Sequence, residues 1–125
     1  MPEYIDVTAA VIRKGEKILI ARRSSGARSG LWEFPGGKQE DGETLQACLA
    51  REIREELGLD IKIGRHFMTV EHDYPDIRIR LHCYLCETRQ SPGGLTDHHE
   101  TRWVKPGELA EFSFPEADRQ VAERL

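Results

Sequence analysis

Three glutamates, Glu52, Glu55 and Glu56, are crowded together in a segment that runs from Gly36 to Leu59. At about 100° per residue, an α-helix through this segment would place all three on one side. Carboxylates three or four residues apart repel one another and oppose a helix by roughly 0.2–0.5 kcal/mol per pair. A divalent cation could neutralise them, and clustered carboxylates suit a hard ion such as Mg²⁺, which takes oxygen ligands and often shares them with phosphate. The alternative interpretation is a solvated acidic face.

The same segment carries the signals of a helix that would position these carboxylates. Thr44 is a suitable N-cap, and Gly58 stands where a left-handed C-terminal cap is expected. Between them, apolar residues recur every four positions, at Leu45, Leu49, Ile53 and Leu57. The sequence therefore predicts a helix with an apolar stripe and the glutamates at its edge. Ahead of it, Pro35, Gly36 and Gly37 stand before a turn and give backbone that can approach a ligand closely.

The spacing of the segment resembles the Nudix box, Gx5Ex7REUxEExGU with U aliphatic. Gly37, Glu43 and the run from Arg51 to Leu59 agree with it at nine defined positions over 23 residues. The preceding sequence EFPGGK is similar to the MutT-type branch of the family, and the resemblance extends more loosely over nearly the whole chain. It implies the family's fold, an α+β helix–sheet–helix sandwich with a mixed β-sheet.

The resemblance also implies a metal site. The ligands that it implies are the Gly36 carbonyl and the carboxylates of Glu52, Glu55 and Glu56. They would bind Mg²⁺, and Mn²⁺ could take its place. Arg51 would orient a glutamate through a bidentate pair, with Glu43 supporting it.

A further carboxylate is expected in a loop before the last strand, where it would join the metal or serve as a base. In MutT-type chains this acid lies six residues before the tryptophan that matches Trp103, and Asp97 occupies that position. Aspartate is one methylene shorter than the usual glutamate, so Glu100 stays open as the alternative. The adjacent His98 and His99 are more typical of a solvated or pH-responsive loop.

The reaction that the resemblance implies is hydrolysis of a nucleoside triphosphate to the monophosphate and pyrophosphate, with water attacking the β-phosphorus. The positions that match substrate-binding residues are Arg23 and Lys38 near the phosphates, Phe34, Tyr74 and Asp118 at the base, and Gly37. Two positions depart from the best-known MutT-type chains. Asp118 stands where those chains have asparagine, and Ile77 replaces an arginine after the Pro75-Asp76 turn.

The aspartate at position 118 leaves the substrate open. Ionised, it only accepts hydrogen bonds and suits the N1–H and N2–H donors of guanine; protonated, it suits the N3 acceptor and N4–H donor of cytosine. The EFPGG context favours 8-oxo-dGTP, and the alternative is CTP or a 5-substituted dCTP. A non-catalytic nucleotide-binding module is disfavoured because all the box carboxylates are present.

Composition fits one small catalytic domain spanning residues 1–125. With 32% charged and 38% hydrophobic residues, the chain is typical of neither disordered nor membrane proteins. Its apolar runs are far shorter than the roughly 20 residues of a membrane span, and no signal sequence is apparent, so we expect a cytoplasmic protein without a membrane partner. The net charge of −4 argues against a nucleic acid polymer as partner. We expect a monomer, with a dimer as the alternative.

The remaining sequence predicts the elements around the site. Strands are expected at 5–13, 17–23, 31–34, 60–74, 77–87 and 103–104, loops at 24–30 and 90–94, a helical turn at 106–111 and a terminal helix at 115–125. Cys83 and Cys86 form a CxxC pair, but positions three apart on a strand point to opposite faces, so we do not expect a zinc site there.

Overall fold

The fold is built on a mixed seven-stranded sheet. The computed structural model describes residues 3–93 and 98–125, except for the side chains of His98 and His99. Its strands are β1 (Ile5–Lys14), β2 (Lys17–Arg23), β3 (Trp32–Glu33), β4 (Gly36–Lys38), β5 (Lys62–Asp73), β6 (Arg78–Glu87) and β7 (His98–Val104). The α-helices of the described ranges are α1 (Leu45–Leu57) and α2 (Glu116–Glu123), and a 3₁₀ helix covers Pro106–Glu111. None of these helices has the length and apolar character needed to cross a membrane.

Strand β1 lies at the centre of the sheet. It pairs in parallel with β6 from Ile5 to Arg13, while β2 and β4 pair with it antiparallel on its other side. These two strands share that side, because β2 pairs with β1 at Arg13 and Lys14 whereas β4 pairs with it from Val7 to Ala9. This edge of β1 is thus shared between β2 and β4, and the two glycines of β4 lie beside the first half of β1.

The two faces of the sheet carry separate hydrophobic clusters. Alternate residues of β1 enter opposite clusters, with Ala9 and Val11 in one and Ala10 and Ile12 in the other. The first cluster includes residues of α2 and the 3₁₀ helix, and the second includes the apolar stripe of α1. This arrangement confirms the predicted helix–sheet–helix sandwich.

Strand β6 confirms the predicted alternation. Ile79 and Leu81 share the α2 side, and the two cysteines of the CxxC pair separate, with Cys83 on that side and Cys86 on the α1 side. Burial raises the pKa of the Cys86 thiol to about 12 and raises that of Cys83 further. Both thiols therefore stay protonated at neutral pH and act as small apolar side chains.

Helix α1 has the predicted ends. The Thr44 hydroxyl accepts a hydrogen bond from the Ala47 N–H at 3.0 Å. At the other end, Gly58 adopts φ 64°, a left-handed conformation that glycine takes without steric cost, and its N–H donates to the Arg54 carbonyl at 3.1 Å. Leu49, Ile53 and Leu57 are fully buried against the sheet, which fixes the rotation of the helix and leaves the glutamates at its border.

The sequence-based strands differ from the structure at two places. Gly36 and Gly37 were predicted to precede a turn and were not assigned to a strand, but they form β4 and pair with β1. The strand expected at 103–104 begins at His98, because β7 pairs with β2 from Ile18 to Arg23. Both strands depend on a partner distant in sequence, which a local pattern of glycines or histidines does not reveal.

Candidate active site

A cleft of about 760 Å³ lies where α1, β4, α2 and the loops beside them meet. Most of the predicted site residues line it: Arg23, Phe34, Gly36, Gly37, Lys38, Arg51, Glu52, Glu55, Glu56, Tyr74 and Asp118. Glu100 does not line it, and Asp97 lies outside the described residues. The structure therefore gathers the glutamates and the predicted base-pocket residues into one cavity.

Arg51 connects the carboxylates at one end of the cleft. Its Nε and Nη2 donate to the two carboxylate oxygens of Glu43 at 2.7 and 3.0 Å, and this pairing holds the pKa of Glu43 down at about 2. Its Nη1 donates to Glu52 at 3.0 Å and to Glu55 at 3.2 Å. The bidentate pair predicted for Arg51 is thus made with Glu43, and the two helix glutamates receive one hydrogen bond each.

The glycines of β4 allow Glu52 and β1 to approach closely. A Cβ atom on Gly37 would lie 2.3 Å from the carboxylate carbon of Glu52, and one on Gly36 would lie 1.9 Å from the Thr8 carbonyl oxygen. A side chain on Gly36 would collide with the β1 backbone, and one on Gly37 would displace the Glu52 carboxylate. The Thr8 hydroxyl also donates to the Gly37 carbonyl at 3.2 Å, which fastens this strand to β1.

The donor set at this end of the cleft fits a hard divalent cation. Glu52, Glu55 and Glu56 offer carboxylate oxygens from α1, and the backbone of Gly36 offers a carbonyl oxygen from β4. Within the described residues, no three acidic, histidine or cysteine side chains stand close enough to hold an ion as they are placed. Glu55 is largely exposed and accepts a hydrogen bond from Arg51, and these carboxylates would have to move closer together to hold one cation jointly.

At the other end of the cleft, Asp118 is buried beside the backbone of Phe34. Its Oδ2 accepts a hydrogen bond from the Phe34 N–H at 3.0 Å. Burial, and to a lesser extent the nearby Glu33, raise the pKa of Asp118 to about 7, although the Phe34 N–H opposes this shift. Asp118 can therefore present either an acceptor or a donor to the cleft at neutral pH.

Tyr74 and Asp76 form the wall next to Asp118. The Tyr74 hydroxyl accepts a hydrogen bond from the Ala117 N–H at 2.9 Å, which fixes the ring against the start of α2. Arg28 lies over this ring at 4.5 Å from its centroid and forms two hydrogen bonds to Asp76. Sequence reasoning missed Arg28, since the loop from Ser24 to Gly30 carries no signal beyond its composition.

Two predicted residues have partners that bear on their roles. Arg23 lines the cleft and pairs with Glu33 at 3.1 Å. Glu100 lies on β7, where its carboxylate accepts from Arg22 at 3.0 Å and from Arg102 at 3.3 Å. These pairs hold Glu100 on β7, away from the cleft.

Comparison with known proteins agrees with this geometry. The family model for the NUDIX domain matches residues 7–124. A protein of Escherichia coli (strain K12) named CTP pyrophosphohydrolase is 32% identical over 122 residues, which cover 97% of this chain and 90% of that protein. The 8-oxo-dGTP diphosphatase of Proteus vulgaris is 42% identical over 83 residues, 65% of this chain and 74% of that one.

Solved structures give the same result. The crystal structure of the MutT NUDIX hydrolase from Burkholderia pseudomallei superposes with a TM-score of 0.85 at 25% identity and covers 99% of both chains. Because the family match runs from β1 to α2, it takes in both ends of the cleft. This chain therefore belongs to the Nudix family and is a hydrolase of its MutT-like group.

Proposed function

We propose that this Nudix hydrolase is a Mg²⁺-dependent nucleoside triphosphate diphosphatase that releases a nucleoside monophosphate and pyrophosphate. The observation that carries the proposal is that a single cleft joins the glutamate edge of α1 to a buried acid, Asp118, beside Phe34. A nucleotide has the same two parts, a polyanionic chain and a polar, planar base. The glutamate end suits the phosphates, and the Asp118 end suits the base.

Charge balance requires a cation at the phosphate end. A triphosphate that approached Glu52, Glu55 and Glu56 directly would be repelled, since like charges a few Å apart cost several kcal/mol at the roughly 20 effective dielectric constant of a protein surface. Bound to these carboxylates and the Gly36 carbonyl, Mg²⁺ would stabilise negative charge on the phosphates and lower the pKa of a bound water. Lys38 and Arg23 line the same cleft and supply positive charge for the phosphates.

Arg51 prepares this end of the site. Its fork with Glu43 leaves the guanidinium fixed, and from that position it directs one oxygen of Glu52 and one of Glu55. Fixed hydrogen bonds of this kind reduce the reorganisation needed when charge develops on the substrate. Asp97 remains our proposed additional carboxylate, as a metal ligand or a base for the attacking water.

Our first proposed substrate is 8-oxo-dGTP. When Asp118 is ionised, its carboxylate accepts from the N1–H donor of a guanine edge. One oxygen already accepts the Phe34 N–H, which fixes the carboxylate plane next to the cleft. The relative from Proteus vulgaris, named 8-oxo-dGTP diphosphatase, shares 42% identity with 65% of this chain and supports the same choice.

A specific observation favours a second candidate, CTP or a 5-substituted dCTP. The pKa of Asp118 is raised to about 7, so the protonated acid is populated at neutral pH and can donate to N3 of cytosine. The Escherichia coli relative named CTP pyrophosphohydrolase aligns with 97% of this chain. The two candidate substrates thus require opposite protonation states of Asp118.

A substrate panel tests the proposal. Purified protein with Mg²⁺ should be assayed against the standard ribo- and deoxynucleoside triphosphates, 8-oxo-dGTP, 5-substituted dCTP and dinucleoside polyphosphates, with kcat/KM as the measure. We expect 8-oxo-dGTP to rank first and CTP to be the main competitor. Absence of pyrophosphate release from every triphosphate would instead indicate a nucleotide-binding module, and a preference for dinucleoside polyphosphates would refute the proposed substrate class.

A further inference from the structure

Arg28 places a guanidinium at the Asp118 end of the cleft, and hydrolysis of the triphosphate at the glutamate end assigns it no role. It comes from the loop between β2 and β3, and it lines the cleft together with Phe34 and Asp118. Its Nη1 and Nη2 donate to the two carboxylate oxygens of Asp76 at 3.0 and 3.1 Å. This is the fork geometry in which arginine holds a carboxylate most firmly.

The surroundings hold Arg28 in place. The guanidinium lies over the Tyr74 ring, and Tyr74 is fixed in turn by the hydrogen bond from the Ala117 N–H. Asp76 chiefly raises the pKa of Arg28, and Tyr74 and Asp118 add to the effect, so the group stays charged. A cation held by a fork and a ring loses little conformational freedom when it binds a ligand.

Arg28 keeps donors available for a ligand. A guanidinium has five N–H donors, and among the described residues Asp76 accepts two of them. The Asp76 charge offsets that of Arg28, which weakens its attraction for a distant polyanion but leaves its N–H groups as donors. Such a group suits a neutral acceptor on a base better than it suits the phosphates.

We propose that Arg28 is a specificity-determining residue that donates a hydrogen bond to a carbonyl oxygen of the substrate base. This inference rests on the proposed function, because it places the base beside Asp118. Guanine, cytosine and uracil each carry a carbonyl oxygen next to a ring nitrogen that Asp118 can pair with, as acceptor or as donor. Adenine carries an amino group and no carbonyl oxygen, and an amino group would face the Arg28 donors with another donor. Arg28 therefore selects against adenine.

The experiment compares two arginine variants with the same local chemistry. Arg28→Met removes the guanidinium and keeps an unbranched apolar stem. Arg78→Met is the matched control, because Arg78 also pairs with an aspartate, Asp73 at 2.9 Å, and lies over a tyrosine ring, Tyr4 at 4.3 Å, yet it does not line the cleft. Values of kcat/KM are measured with Mg²⁺ for 8-oxo-dGTP, CTP and dATP, and thermal unfolding reports whether each variant is folded.

We expect Arg28→Met to lower kcat/KM by ~10–100-fold for the nucleotides with a carbonyl-bearing base, and to leave it for dATP unchanged within about threefold or raised. Arg78→Met should leave the base preference unchanged. An equal loss on all three nucleotides would overturn the inference and make Arg28 a phosphate-binding or structural residue, and so would an unchanged preference in a folded Arg28→Met protein. A wild-type protein inactive on every triphosphate would refute the proposed function and this inference with it.

Discussion

Asp118 is the residue at which burial and chemistry are most closely linked. Its carboxyl group is buried beside the backbone of Phe34, where removal from water disfavours the charged form and raises its pKa to about 7. The Phe34 N–H stabilises the charged form in part, which keeps the group near the midpoint of its titration at neutral pH. Small changes in pH therefore change whether Asp118 donates or accepts a hydrogen bond at the substrate base.

This predicts opposite pH profiles for the two candidate substrates. The kcat/KM for 8-oxo-dGTP should rise as pH increases through about 7, because guanine needs the ionised acid. For CTP it should fall over the same range, because cytosine N3 needs the protonated acid. Asp118→Asn, which does not titrate, should remove both changes and lower kcat/KM for 8-oxo-dGTP by ~10–100-fold. Profiles that keep their break near pH 7 in the variant would assign the titration to another group.

Stability gives a check on Asp118 that is independent of activity. Its pKa is higher in the folded protein than the roughly 3.9 of an unfolded aspartate, so the folded state binds more protons between about pH 4 and 7. The contribution of this group to the free energy of unfolding is thus complete below pH 4 and is lost as pH rises through 7. We expect the difference in Tm between pH 5 and pH 8 to shrink in Asp118→Asn.

At the scale of elements, the two glycines of β4 have different neighbours, so substitutions at them should affect stability and activity differently. A Cβ atom on Gly36 would meet the backbone of β1, which can move only if the strands separate. A Cβ atom on Gly37 would meet the end of the Glu52 side chain, which can rotate away. Gly36 is therefore needed for the packing of β4 on β1, and Gly37 is needed for the position of Glu52.

We predict that Gly36→Ala destabilises the fold by about 1–3 kcal/mol. Gly37→Ala should stay within about 1 kcal/mol of the wild type but lose on the order of 10²-fold in kcat, because it displaces Glu52. Chemical denaturation and steady-state kinetics measure the two effects, and Gly107→Ala, which meets no atom within 4 Å, is the control. A Gly37→Ala variant with normal turnover would show that the position of Glu52 does not limit catalysis.

Strand β7 bears on the second carboxylate. Because Arg22 and Arg102 hold Glu100 in a partly exposed cluster, Glu100→Gln should cost less than about 1 kcal/mol of stability and change kcat little. Asp97→Asn should cause the larger loss of kcat, and this loss should persist at high pH and high Mg²⁺. The reverse ranking would transfer the catalytic role to Glu100, and two silent variants would show that neither acid is required.

The sequence predicted the elements whose signals are local. The α1 helix, with its Thr44 and Gly58 caps, and the alternation along β6 are set by residues a few positions apart, and the structure has them where they were expected. Strand β4 and the start of β7 exist only through pairing with β1 and β2. Glycines and histidines favour strands weakly, so their local sequence does not predict these elements.

At the scale of the whole molecule, the cleft is assembled from segments far apart in the chain. Phe34 and Asp118 are 84 residues apart and are joined by one hydrogen bond, and Arg28 meets Asp76 across 48 residues. The family resemblance supplied the positions of the glutamates and of Asp118 in advance. It could not supply Arg28, since a loop contact depends on how the finished sheet places two turns against each other.

The most direct test of the account is to identify the products of the reaction. The wild-type protein is incubated with Mg²⁺ and 8-oxo-dGTP in ¹⁸O-labelled water, and Glu56→Gln and Glu16→Gln are measured beside it. Glu16 is exposed in the β1–β2 turn, so its variant makes the same chemical change away from the cleft. We predict the monophosphate and pyrophosphate as products, with the label in pyrophosphate, a loss in kcat of on the order of 10²-fold or more for Glu56→Gln, and none for Glu16→Gln. Release of inorganic phosphate and a diphosphate, or full turnover by Glu56→Gln at saturating Mg²⁺, would contradict it.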